Sequence, residues 1–160
     1  MIHTKQILIS VLLVLGLVSV VVAQSREAQS LKGITNLRVV VDYLQPNLES
    51  IVNASQLQTD IELRLRQNGI IIDPSATALI YVTLNSVTAR STPITATNIE
   101  IALMQSVMIP RNGRMTLAVT WRAGRASMIG NSMLAKSVKE DVQDLMNKFL
   151  NDYLTVNPKK

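Results

Sequence analysis

Near the C-terminus, Val138, Val142, Leu145, Met146, Phe149, Leu150, Tyr153 and Leu154 recur at intervals of three and four. This spacing sets all eight on one side of a helix of about four turns. Apolar surface costs roughly 25 cal/mol per Å² when left in water, so a stripe of this length obliges the rest of the chain to supply an apolar face. Ser137-Val-Lys-Glu140 matches a capping box and predicts the helix start. Thr155-Val-Asn-Pro158 ends the helix, and residues 157–160 with Lys159-Lys160 read as a basic tail.

The matching face comes from runs with strand character. Asn36 to Leu44 is rich in β-branched residues and stops before Pro46, which predicts a first strand. Beyond the capping residues of Ser50 to Asn53, Leu57, Ile61 and Leu65 recur every four residues and predict a helix. Its exposed face carries Asp60 with Arg64 and Glu62 with Arg66, acid first at i and i+4 in both pairs. Asn68-Gly69 stops it as a left-handed cap. Ile70 to Ile72 is a brief strand before Asp73-Pro74, and Thr77 to Ala89 alternates Ile80, Val82 and Leu84 against Tyr81, Thr83 and Asn85. Arg90 to Thr97 reads as a loop, and Gly124 to Lys136 as a connection without periodicity.

Ile99 to Ile109 and Met115 to Ala123 flank Asn112-Gly113 as a hairpin. A two-residue loop mixes apolar and polar partners across the pair. A three-residue loop of Arg111, Asn112 and Gly113 opposes Ile109 with Met115, Val107 with Leu117, Leu103 with Trp121 and Ile101 with Ala123, and so sorts the faces. It also gives Gly113 the left-handed position such loops require. Together these elements predict a single α+β domain over residues 35–156. It has one mostly antiparallel sheet of about five strands, with two helices packed on one face, in the order β-α-β-β-β-β-α.

At the other end, Lys5 precedes an apolar run from Ile7 to Ala23, which closes on Val21-Val22-Ala23. This is a charged n-region and an h-region, and residues 1–23 read as a signal peptide cleaved after Ala23. The alternative is an uncleaved anchor, since about 17 apolar residues approach the length that spans a bilayer. Gln24 to Ile34 reads as a polar leader before the domain. The protein is expected to be exported, periplasmic or secreted. With no cysteine, it can carry neither a lipoprotein anchor nor a disulfide, so stability must come from its core.

Export also removes His3, leaving neither His nor Cys. A Ser-His-Asp triad, a thiol nucleophile and zinc sites built on those residues are excluded by inventory. The acids do not converge: Asp60 and Glu62 point apart on their helix, and Glu140, Asp141 and Asp144 complement a helix N-terminus. Asp42 alternates outward between Val41 and Tyr43. Phosphate-cradling glycine motifs are absent. No enzyme activity, cofactor or metal is expected. Nucleic acid is not expected either, because one Trp, one Phe and three Tyr are too few for stacking platforms.

What remains is a basic patch, Arg111, Arg114, Arg122 and Arg125, on or near the hairpin, with Arg122 facing away from Trp121. It suits an anionic headgroup, a polysaccharide or an acidic partner, and it also suits a solvated turn and a charged sheet edge. Met104, Met108, Met128 and Met133 suit an adaptable groove, or the core filler that Met more often is. The stretches Thr59-Asp-Ile-Glu-Leu-Arg-Leu-Arg-Gln-Asn-Gly-Ile70 and Phe149-Leu-Asn-Asp-Tyr-Leu-Thr-Val-Asn-Pro-Lys159 resemble a family of small exported bacterial proteins of unassigned function. The element order is similar to envelope-assembly domains, such as the lipopolysaccharide-assembly lipoprotein and the N-terminal domain of the Tol-system periplasmic protein. The expected function is therefore a non-enzymatic envelope or secreted domain that binds another envelope component, a protein or an anionic surface. The alternative is a carrier of lipid or apolar ligand between sheet and last helix. Membrane contact is expected only through a retained N-terminal segment.

Overall fold

The computed structural model describes residues 26–43, 48 and 51–158. The predicted signal segment 1–23 and the lysines of the tail lie outside the described residues. The elements in order are α1 (Arg26–Gln29), β1 (Asn36–Tyr43), α2 (Ala54–Gln67), β2 (Ile71–Ile72), β3 (Leu79–Thr88), β4 (Ile94–Ile109), β5 (Arg114–Gly130), a 3₁₀ turn (Asn131–Met133) and α3 (Leu134–Val156). Among the described residues no helix is long and apolar enough to cross a membrane.

The strands form one open five-stranded sheet in the order β2-β1-β3-β4-β5, and the fold is α+β as expected. Most of its pairing is antiparallel, as expected, through the β3-β4-β5 meander, and the sheet is mixed because β1 runs parallel to both β2 and β3. The crossover through α2 imposes this, since a helix between two neighbouring strands returns the chain to the end where it started.

The two longer helices cover one face of the sheet. Ile80, Val82 and Leu84 of β3, Ile99, Ile101 and Leu103 of β4, and Trp121 of β5 lie in one buried cluster with Leu57, Ile61 and Leu65 of α2 and the α3 stripe. At its centre Trp121 meets Phe149 edge to face, with ring centroids 5.1 Å apart. Local chemistry ends α2 as predicted. The side chain of Asn53 accepts from the Gln56 N–H, and Gly69, at φ +84°, lets Gly69 and Ile70 donate to Arg66 and Leu65. Ile70 and Leu65 are both fully buried, supplying the apolar contact of such a cap.

Three expectations change. The last helix begins at Leu134, three residues before the capping box, because buried Leu134 extends the stripe by a turn and the 3₁₀ turn leads directly into it. β4 and β5 are longer than their apolar runs, at 16 and 17 residues, and take in much of the predicted loop and connection. Backbone pairing carries them, with Thr95 opposite Ile129 and Thr97 opposite Ser127. Finally, residues 26–34 are packed against the domain rather than leading up to it: Ala28, Leu31 and Ile34 are buried.

The hairpin register is partly as predicted. Leu103 opposes Trp121 and Ile101 opposes Ala123, but from Met104↔Val119 to Ile109↔Arg114 the pairing is shifted by one residue, leaving Thr120 as a bulge. Apolar sorting governs register only where a face is buried, and the hairpin tip is not. The bulge is fixed by polar contacts instead: Ser30 Oγ donates to the Thr120 carbonyl (3.0 Å), and Gln105 Nε2 donates to Thr120 Oγ1 (2.8 Å). The connection consequently has four residues, Pro110 to Gly113, rather than three.

Gly113 does take the left-handed conformation, at φ +67°, and a Cβ there would meet nothing within 4 Å. The conformation alone therefore penalises a side chain. Gly113→Val should lower stability by about 1 kcal/mol or more, whereas Arg111→Ala and Arg114→Ala should leave the melting temperature nearly unchanged. Thermal unfolding of the three variants side by side checks this.

Candidate functional site

Alternation along each strand fills one face of the sheet with the core and leaves the other without a helix among the described residues. On that open face Val40, Tyr81, Ala102 and Arg122 form one cross-strand row, and Arg38, Leu79, Met104 and Val119 form the next. Leu79 and Ala102 are buried there, outside the main core, by their neighbours on the sheet. Tyr81 donates its hydroxyl hydrogen bond to Asp42, the outward-facing acid of β1, and this bond holds the phenol above its ordinary pKa. Glu100 stands on the same face, two residue pairs along β4 from Ala102.

Beyond the Leu79–Met104 pair, β4 and β5 continue as a two-stranded ribbon, with no third strand among the described residues. Its open side carries Met108, Met115 and Leu117, which are 61%, 62% and 48% exposed, and Val119 at its root is 49% exposed. Met104 is half-buried between them and Leu79. Isolated two-stranded ribbons are marginal in water, and this one is braced only at its root, where Gln105 Nε2 also donates to the Ser30 carbonyl at 2.9 Å. The methionines expected in the core are thus mostly at the surface: Met128 is 79% and Met133 48% exposed, and only Met146 of those in the helix stripe is fully buried.

The four arginines of the predicted patch are not brought together. Arg111 lies in the tip connection and Arg114 at the first position of β5, both exposed. Arg122 is exposed on the open face. Arg125 instead donates to Asp141 (2.7 Å) and Asp144 (3.0 Å) of α3, and these carboxylates raise its pKa. Asp141, buried, also accepts from Ser127 Oγ at 3.2 Å. The acids read as helix-terminus charges therefore clamp α3 to β5.

Helix α2 shows a similar reassignment. Arg66 pairs with Glu62 at 2.9 Å as predicted, but Arg64 turns to Asn147 and the Gln143 carbonyl, leaving Asp60 to Lys139 at 3.4 Å. Partners on α3, which no local pattern reveals, outcompete the i and i+4 pairing.

A contiguous apolar strip exposed on a projecting ribbon and bordered by cations has the character of a docking surface. Sequence reasoning reached its arginines and Met108 but missed Met115, Leu117 and Val119, because alternation says which side chains share a face but not whether that face is covered.

No protein-family model matches the chain, and no curated protein matches it. Among solved structures it is similar to the PelC dodecamer from Paraburkholderia phytofirmans, at 15% identity and a TM-score of 0.43 over 76% of this chain and 87% of that one. A minor lipoprotein from Acinetobacter baumannii is similar at 12% identity and a TM-score of 0.38, covering 76% and 92% of the two chains. Lipoprotein GNA1162 from Neisseria meningitidis is similar at 14% identity and a TM-score of 0.37, covering 73% and 99%.

Proposed function

We propose that this protein is an exported, non-enzymatic domain that binds another component of the cell envelope through the ribbon and the adjoining open sheet face. One observation carries the reading: Met108, Met115, Leu117 and Val119 stand about half exposed or more on a single surface with no described element over them. Leaving such a strip in water has a cost that binding removes. The carrier alternative requires a gap between sheet and last helix, but Leu103, Met146 and Phe149 fill that seam and are fully buried.

Photocrosslinking in intact cells tests the proposal. A photoreactive residue in place of Leu117 should capture a defined partner, and the same residue in place of Leu63, exposed on α2, should not. A charge at Val119 (Val119→Asp) should reduce the Leu117 crosslink about tenfold or more without moving the melting temperature, since one buried aliphatic anchor is worth about 1.5–3 kcal/mol. Equal capture from both positions, or none from Leu117, would count against the ribbon as a binding surface.

A further inference from the structure

The charge along the chain narrows the nature of that component. Between Glu100 and Glu140 there is no acid, while Arg111, Arg114, Arg122, Arg125, Lys136 and Lys139 fall in the same stretch. Three of them are answered from outside it: Arg125 by Asp141 and Asp144, Lys136 by Glu140 and Lys139 by Asp60. Arg111, Arg114 and Arg122 have no ion pair among the described residues, so the unanswered positive charge sits beside the exposed apolar strip.

A second copy is a poor occupant for this surface. Antiparallel pairing along the free β5 edge would set side by side two strands that each carry Arg114 and Arg122 and no acid to compensate. The ribbon projects by five residue pairs, Gln105↔Ala118 to Ile109↔Arg114, a reach of roughly 16 Å at strand rise. Its apex presents apolar side chains on the open side and half-buried Val107 and Ile109 on the other, with Arg111 in the tip connection and Arg114 paired opposite Ile109. A projecting apex with apolar side chains on both sides and two cations, Arg111 and Arg114, at its tip matches a compliant apolar phase with an anionic rim. Flexible methionines suit such a phase better than a rigid pocket does. The chain preceding α1 also joins the domain within about 6 Å of Ser30 along that helix, and Ser30 is bonded to the ribbon root.

We infer that the ribbon apex inserts into an anionic lipid bilayer surface, with Met108, Met115 and Leu117 in the headgroup and acyl boundary and Arg111 and Arg114 against lipid phosphates. This rests on the ribbon being the contact surface proposed above, and it extends membrane contact beyond a retained N-terminal segment. Penetration of some 5–10 Å is usual for interfacial elements and lies within the ribbon's reach.

The absence of cysteine allows a clean test. Met115→Cys and Leu63→Cys, made separately in the full chain, are labelled with an environment-sensitive fluorophore. Each is mixed with vesicles of phosphatidylcholine, with or without phosphatidylglycerol. On anionic vesicles the Met115→Cys probe should shift to the blue and brighten, and the Leu63→Cys probe should not. Arg111→Gln with Arg114→Gln should weaken partitioning about twenty-five-fold, roughly fivefold for each basic side chain removed near an anionic surface. Because a retained N-terminal segment would tether every variant alike, the contrast between positions and the effect of the arginines carry the result. An aqueous Met115→Cys probe on anionic vesicles overturns the inference, as does a response indifferent to the arginines. If the probe stays aqueous while the Leu117 photocrosslink still captures a protein, the lipid assignment falls and the ribbon reading stands. If both fail, both fall.

Discussion

Replacing Phe149 with Ala should lower the unfolding free energy by about 3–5 kcal/mol, the range for truncating a fully buried aromatic side chain. Phe149 has no exposed surface and sits edge to face with Trp121, while Tyr153 stacks on its other side at 6.4 Å. Both neighbours are fixed independently, Trp121 by donation to Asp152 (2.9 Å) and Tyr153 by donation to the Ile34 carbonyl (3.0 Å). They cannot readily collapse into the space, so the cavity cost adds to the lost burial. Trp121 is the single tryptophan, which makes its fluorescence in a urea titration a direct reporter of this seam. A loss below about 1 kcal/mol would mean that the sheet and α3 are not tightly packed, and would restore the carrier reading.

Leu31→Ala should cost about 2–5 kcal/mol, although Leu31 lies in a stretch whose composition is that of a leader. Its side chain is fully buried, and the segment is strapped to the end of α3. Asn157 Oδ1 accepts from the Gly33 N–H at 2.8 Å, and Asn157 Nδ2 donates to the Leu31 carbonyl at 2.9 Å. Gly33, at φ +79°, makes the bend that brings both groups to Asn157. A detached leader would tolerate the substitution with a change near zero, so equilibrium unfolding separates the two descriptions. Asn157→Ala should act in the same direction with a smaller effect, about 1–2 kcal/mol, because it leaves the Gly33 and Leu31 backbone groups without their partner.

These two sites show where local pattern suffices. The stripe through Phe149 repeats at the helical period, and Trp121 alternates at the strand period, so both were legible as core. Leu31 has no periodic neighbours, and its burial depends on a contact with α3 more than a hundred residues away in sequence. The same division runs through the surface. Asn68-Gly69 and Asn112-Gly113 declared their turns, because left-handed backbone is a property of the residue itself. The Thr120 bulge did not, since it depends on Ser30 and Gln105 reaching one carbonyl and one hydroxyl from elsewhere in the fold.

By itself, then, the sequence determined the order and type of the main elements, the helix stop at Gly69 and the lack of any cysteine in the chain. Those follow from backbone preference, the periods of helix and strand, and the residue inventory, all of which act over a few residues or over the chain as a whole. Only the tertiary structure decided which face of the sheet is covered, that Arg125 is held by α3 while Arg111, Arg114 and Arg122 have no ion pair among the described residues, and that β4 and β5 outrun the sheet as a ribbon. Each of those depends on which distant groups meet, and periodicity records the side a residue faces without recording what stands opposite.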